Sequence, residues 1–400
     1  IPMTANDPTF ADNQAVNSIT IDATATLTVG AGGCLWVGSD FTNDGDFILE
    51  ATATNYAQYQ GPQVKGTLSQ VIGEAGWHSI ASPFIDTKLE DIIFDQGAFL
   101  QIDVASKTNI QTYNSSNYQA TPPGTWANAW GSWEIPADLT APFDGSVGYN
   151  LYLDSYFMSG TFPVTMSITG TLRNMPLRQE LKKSNGGWNQ LSNPFPSVVD
   201  FDKLYDNSAI GSSYRLWDPV SQVYATLLYD PNTGTNISSP VGLTRYIAPY
   251  QSVWVKTHGS ATADPGAQAL GTQDHSISNA DRPSECLSAT NTFYKTEALT
   301  GVLRLQTSLK GLTDEVLIRF GEDYQEGYTN MEDASKFFSA NTDIPTVFTL
   351  VEEQACVIAS YPYPDLRAQS IPLGYTSTRK GEVKIELTET KEGLIVILED

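Results

Sequence analysis

An all-β chain of several modules is the fold this sequence predicts: a short β-solenoid or β-meander at the N-terminus, two repeated β-sandwich-like modules and a C-terminal antiparallel β-sandwich. Three observations carry that expectation. Charged residues make up only 17% of the 400 residues, against roughly 25% in an average soluble protein. Thr, Ser, Asn, Gly and Tyr fill the gap, which suits strands and turns. Apolar and polar residues alternate in short runs divided by Gly- and Asn-rich turns, and one Trp-Pro-Phe block recurs far along the chain. At about 100 to 200 residues per domain, the length implies some three units, and 40% hydrophobic content lets each bury a core.

Residues 1–55 read as solenoid-like rungs. Ser18 to Ile21, Ala25 to Val29, Cys34 to Val37 and Asp46 to Leu49 alternate, with Gly30-Ala31-Gly32-Gly33 and Asn43-Asp44-Gly45 as turn signals between them. The rungs recur about every eight to ten residues, too closely for βαβ units, so stacked coils or an irregular meander remain.

Residues 56–167 and 168–258 read as a duplicated module. Gly76-Trp77-His78-Ser79-Ile80-Ala81-Ser82-Pro83-Phe84 is echoed by Gly187-Trp188-Asn189-Gln190-Leu191-Ser192-Asn193-Pro194-Phe195, 111 residues later (187 − 76). Each copy follows a Gly-Thr-Leu strand, at Gly66 to Leu68 and at Gly170 to Leu172, and leads into a segment with helical potential, Asp86 to Phe94 or Asp200 to Tyr205. Trp77 and Trp188 supply apolar anchors. Pro83 and Pro194 end the strand, since proline cannot donate to a ladder, and Asp86 or Asp200 can cap the turn that follows. These residues are assigned a structural role.

Residues 259–284 have the composition of a linker, rich in Gly, Ala, Thr, Ser and Asp. The acid chemistry changes there: residues 1–280 hold 20 Asp and 5 Glu, and residues 281–400 hold 7 Asp and 13 Glu. In residues 285–400, alternating runs at Val302 to Thr307, Glu315 to Phe320, Thr346 to Leu350, Val383 to Leu387 and Leu394 to Leu398 predict the sandwich, with one short helix over Asn330 to Ser339. The last run has no closing element, and Ile1 is not preceded by a leader, as in a mature or excised, truncated segment.

The formal charge is −23, with no cluster of Lys or Arg, which disfavours nucleic acid and anionic membranes as partners. No stretch approaches the roughly 20 apolar residues of a membrane span. Three cysteines cannot make a disulfide framework. Cys286 and Cys356 could close one bridge in an oxidising compartment; the alternative is separately buried thiols.

His78, His258 and His275 lack the spacing of a zinc site, and no nucleophile elbow, Walker loop or dinucleotide fingerprint follows a strand. Glu74, Glu90, Glu134 and Glu180 are the glutamates available for a glycosidase pair in the duplicated region, with nothing to single out two of them. No enzyme is expected. Calcium is the one ion with candidate ligands: Asp44 and Asp46 on their turn, and Asp314 and Glu315, with Glu322 and Asp323, between sandwich strands. Solvated turns explain the same acids equally simply. Trp126, Trp130 and Trp133, preceded by Tyr113 and Tyr118, form the densest aromatic group. They could stack on sugars or on a partner's apolar surface, or else pack between the two modules.

These patterns resemble large extracellular proteins of Bacteroidota exported by type IX secretion, many of them adhesins. The rungs of residues 16–50, the two Gly-Trp to Pro-Phe blocks, and Thr313 to Phe320 with Asp333 to Lys336 and Ile371 to Gly374 carry the similarity. The resemblance implies a secreted or cell-surface adhesion or structural protein that binds a glycan or protein. Two other readings accompany it: the non-catalytic arm of a polysaccharide-degrading enzyme, and a self-associating subunit of an extracellular filament or surface layer.

Overall fold

The computed structural model describes residues 7–103, 107–119, 130–182, 187–205, 210–240, 242–257, 272–277, 302–363, 369–390 and 395–399, with 115–119, 130–132 and 272–277 described in their backbone path only. Nearly all regular structure is β. The helical turns among these residues are one α-turn, Phe201–Leu204, and one 3-10 turn, Leu89–Asp91. No helix there is long and apolar enough to cross a membrane. The chain divides into two compact units, residues 1–119, 130–209 and 245–293 in the first, and 120–129, 210–244 and 294–400 in the second.

The first unit opens as a β-solenoid. Thr9–Phe10, Thr26–Val29, Asp46–Leu49 and Lys65–Ile72 pair in parallel, and Asn13–Ile21, Cys34–Asn43 and Gln58–Gln60 form a second parallel sheet. A meander would pair its strands antiparallel, so coils are what the rungs build. Inward-pointing Leu27, Val29, Leu35, Val37, Phe47, Leu49 and Tyr59 are buried in one core. The corner at Gly45 admits no side chain, because a Cβ there would lie 2.2 Å from Ala25 O and 2.5 Å from Asp22 O.

Beyond the coils the duplication is interleaved. The two Gly-Thr-Leu strands, Lys65–Ile72 and Val164–Thr171, are each other's antiparallel partners, with Gly66 opposite Gly170. A module boundary between residues 167 and 168 would cut that strand. The expected second module is divided as well, since 210–244 belong to the second unit. Within the expected linker, Thr272–Ile277 forms a strand antiparallel to Leu177–Lys182.

The repeated block has one local design in both copies. Gly76 (φ 130°), the first residue of the strand Gly76–Ile80, and Gly187 (φ 75°), just before Trp188–Ser192, both have positive φ. The first residue of each Ser/Asn-Pro-Phe accepts from the third, with Ser82 Oγ taking Phe84 N at 3.3 Å and Asn193 Oδ1 taking Phe195 N at 2.9 Å. Pro83, Pro194, Phe84 and Phe195 are buried. Asp200 caps its helical turn by accepting from Asp202 N. Asp86 does not cap: its carboxylate bonds Thr171 N at 2.8 Å and Thr171 Oγ1 at 2.7 Å, across to the neighbouring strand.

The second unit is a sandwich. One sheet runs in the order Leu373–Thr376, Thr346–Val351, Gln354–Pro362, Leu312–Gly321, Val302–Leu309, Lys384–Glu389, with Ala334–Ser335 on Gln354–Pro362. It is mixed rather than wholly antiparallel, because Leu312–Gly321 and Gln354–Pro362 run parallel. The facing layer holds Ile210–Asp218, Val223–Asp230 and Thr235–Ser239, and Leu228 and Ile237 pack with Val302, Leu317, Val357 and Ile358. The helix expected over Asn330 to Ser339 is replaced by turns and the strand pair at Ala334–Ser335. Leu394 to Leu398 was expected as a strand; its described residues lie outside any sheet, with Ile395 90% and Ile397 74% exposed. The Cys286–Cys356 bridge is not formed: Cys356 is outside any disulfide, its buried side chain enclosed by Val351, Ala359, Tyr328 and Tyr361, and Cys34 is disulfide-bonded.

Candidate functional site: an aromatic strip on the first unit

A four-stranded antiparallel sheet in the first unit runs Trp130–Glu134, Ile110–Gln119, Tyr149–Leu153, Gly76–Ile80. Its period-2 alternation sends Ile80, Tyr149, Leu151 and Ile110 into the core, and puts Trp77, Tyr152, Tyr113 and Trp133 on the opposite face. Tyr113 and Trp133 are directly paired, and their rings meet edge to face with centroids 5.4 Å apart. Both also contact Trp254, which is 1% exposed, at 4.7 and 5.8 Å. These two members of the aromatic group are thus packed within the unit, against a tryptophan more than a hundred residues further along the chain. Tyr118 and Trp130 lie on paired strands whose side chains are not described, and Trp126 lies outside the described residues.

A different aromatic run reaches solvent. Trp77 and Tyr152, opposite each other in register, have ring centroids 5.0 Å apart and are half-buried. Tyr152 then meets buried Phe157 at 6.2 Å, and Phe157 meets Tyr156 at 4.9 Å and Phe99 at 5.9 Å. Tyr156 is 49% exposed and Phe99 42%. Lys107 Nζ stands 3.8 Å over the Tyr156 ring, the geometry of a cation–π contact.

Short-range hydrogen bonds fix the strip. Asp154 Oδ1 accepts from Tyr156 N at 2.9 Å, turning the chain immediately after the strand Tyr149–Leu153. Buried Asn109 holds the Phe99 loop, donating to Phe99 O at 2.9 Å and accepting from Gln101 N at 2.7 Å. Burial raises the Tyr152 phenol above its ordinary value, and the Asp154 charge adds to the shift. The hydroxyl is therefore held protonated as a donor.

His78 donates from Nε2 to Glu74 O, 2.9 Å away, and burial pushes its pKa down to about 4. It is neutral at pH 7 and bound to backbone. The glutamates weighed for hydrolysis stand in separate settings: Glu90 with Lys88 at 3.2 Å, Glu180 with Lys182, and Glu134 accepting from Asn114 at 2.6 Å.

Of the calcium candidates, Asp44 and Asp46 project into solvent from a turn already held by Asn43, which accepts from Gly45 N and donates to Lys65 O. Asp314 and Glu315 are each held in a buried ion pair. Lys336 Nζ lies 2.7 and 2.6 Å from the Asp314 carboxylate oxygens, and Glu315 is paired with Arg304. All four side chains are buried, so a metal would have to displace a resident cation. A third buried pair, Arg319 with Asp230 at 2.9 Å, also uses Ser360 Oγ and Glu332 O. The charged residues of the Thr313 to Phe320 and Asp333 to Lys336 segments are interior cross-ties. Among the described residues, no three His, Cys, Asp or Glu side chains are grouped for a metal.

Fold and site together define a modular all-β chain that presents an exposed aromatic surface on strands and clamped turns. The chain belongs to the family described as a domain of unknown function, DUF8693, whose model matches residues 1–396. No curated protein and no solved structure matches it.

Proposed function

We propose that this chain is a non-enzymatic, secreted or cell-surface adhesion protein whose β modules hold an aromatic surface out to a glycan or protein partner. The observation that carries the proposal is the strip from Trp77 through Tyr152 to Tyr156 and Phe99, where large rings stay accessible although the core beneath them is closed. Rings fixed in advance lose little freedom on binding, which favours recognition by stacking. The disulfide at Cys34 suits an oxidising compartment, and the charge of −23 suits a soluble exported surface.

The test is a glycan-array and whole-cell binding assay comparing the chain with Trp77→Ala and Tyr156→Ala, each checked for an unchanged melting temperature. Loss of binding in these variants supports the reading; unchanged binding in both removes the strip from it. A parallel Trp126→Ala/Trp130→Ala variant tests the neighbouring aromatic loop.

Self-assembly into a filament or layer is a second reading, favoured by one observation. The edge strand Lys384–Glu389 carries exposed Ile385 and Leu387, and Ile395 to Leu398 are exposed outside any sheet. Deleting residues 395–400 would abolish assembly on this reading while leaving the monomer folded.

A further inference from the structure

Trp36 is set apart from every other described tryptophan. It lies on the outer face of the solenoid's three-stranded sheet and is 43% exposed. Its lateral neighbours in register are Ala15, small, and Gln60, polar. The next residue on the same face of its own strand is Gly38, and a Cβ built there would lie 3.2 Å from Trp36 Cη2 and 3.3 Å from Cζ3. The indole is therefore folded down along the sheet, with the glycine backbone beneath it. A β-bulge between Val16 and Ser18 brings Asn17 to this spot, its Oδ1 3.5 Å from the same point. Small or polar residues surround a single large ring.

The charge environment narrows the class of ligand. Residues 1–64 contain no Lys, Arg or His, but seven acids: Asp7, Asp12, Asp22, Asp40, Asp44, Asp46 and Glu50. Phosphate, sulfate and uronate groups would meet a field of their own sign with no cation to pair. A neutral pyranose has the complementary chemistry. Its axial C–H face can lie on the indole while its hydroxyls exchange hydrogen bonds with the exposed carboxamide of Asn17.

We infer that Trp36, with Gly38 beneath it and Asn17 beside it, is a stacking platform for a neutral saccharide, separate from the Trp77 strip. The platform is open, and adjacent sugars of a chain would continue along the sheet surface.

Affinity gel electrophoresis tests this with four named probes: hydroxyethylcellulose, galactomannan and arabinoxylan as neutral polysaccharides, and polygalacturonate as the polyanion. The wild-type chain is expected to be retarded by at least one neutral probe and not by polygalacturonate. Trp36→Ala should weaken that retardation about tenfold in apparent Kd, the effect of losing one stacked ring. Gly38→Val keeps the tryptophan but fills the space under it, and should weaken retardation similarly. Val220→Ala, at an exposed side chain of the second unit outside both aromatic surfaces, should leave it unchanged; retardation lost in Trp77→Ala but kept in Trp36→Ala would report on the strip alone, so failure of the strip and failure of the platform are told apart. Retention by no neutral probe, or equal retardation of Trp36→Ala and wild type, overturns the inference. Circular dichroism and melting temperature identify any variant that has misfolded; for such a variant Trp36→Phe, which shrinks the ring without removing it, is expected to give a partial loss, and wild-type retardation by it again overturns the inference.

Discussion

Removing Lys336 should destabilise the second unit far more than removing Lys336 and Asp314 together. The Asp314 carboxylate receives two short contacts from Lys336 Nζ, at 2.7 and 2.6 Å, and one hydrogen bond from Val347 N at 2.9 Å. Both side chains are 6% exposed. In Lys336→Met the carboxylate keeps only the Val347 donor and stays buried with its charge. Breaking a buried pair in this way costs about 3–5 kcal/mol, whereas replacing both charges by uncharged groups of similar size is often close to neutral. In Asp314→Asn/Lys336→Met the amide oxygen can still accept from Val347 N, so a cost below about 2 kcal/mol is expected. For a unit of this size, each kcal/mol moves the melting temperature roughly 2–4 °C, so the single variant should melt about 6–20 °C lower. Scanning calorimetry and urea titration, each with and without calcium, measure the difference. A single-variant cost below about 1 kcal/mol, or a double variant as unstable as the single, would refute the reasoning. Stabilisation of the wild type by calcium that is lost in Asp314→Asn would restore the metal reading.

The two units should respond to pH with opposite signs. His78, with a folded value of about 4 below its ordinary 6.5, contributes stability that is full above pH 6.5 and lost as pH falls through 4; His78→Asn should flatten the acid-side loss in the first unit's melting curve. Asp333, buried and pushed up to about 7 chiefly by desolvation, contributes stability that is full below about pH 4 and lost as pH rises through 7, so Asp333→Asn should flatten the second unit's profile in that window. The two copies of the repeated block should also differ in their sensitivity to mutation. Asn193 donates through Nδ2 to Ser197 O, Ile247 O and Ala248 O and accepts from Phe195 N, all buried, so Asn193→Ala should cost about 3–5 kcal/mol in urea titration. Ser82→Ala removes one 3.3 Å bond and should cost about 1 kcal/mol. Finally, thiol titration of the denatured, unreduced chain should find one reactive cysteine, and Cys356→Ala should abolish it.

What the sequence determined was local. Alternation placed most of the strands, the Asn43 to Asp46 turn marked a solenoid corner, and Ser/Asn-Pro-Phe marked the same stop in two places, because pleat geometry and the proline and glycine restrictions act within a few residues. Hairpins followed the same logic: Lys310-Gly311, both at positive φ, joins Val302–Leu309 to Leu312–Gly321 as a two-residue turn. Which strand meets which was decided only in three dimensions. Alternation reveals an apolar face but not the partner that covers it, so the pairing of Lys65–Ile72 with Val164–Thr171 and the transfer of 210–244 to the second unit left no local trace. The same limit hid the site. Tyr152 opposes Trp77 from 75 residues away (152 − 77), and Trp254 closes on Tyr113 and Trp133 from a strand far along the chain. Asp314 and Glu315 read as free oxygen ligands because Lys336 and Arg304, which neutralise them, reach them only through the packed sandwich, where a buried charge is tolerated only with its opposite beside it.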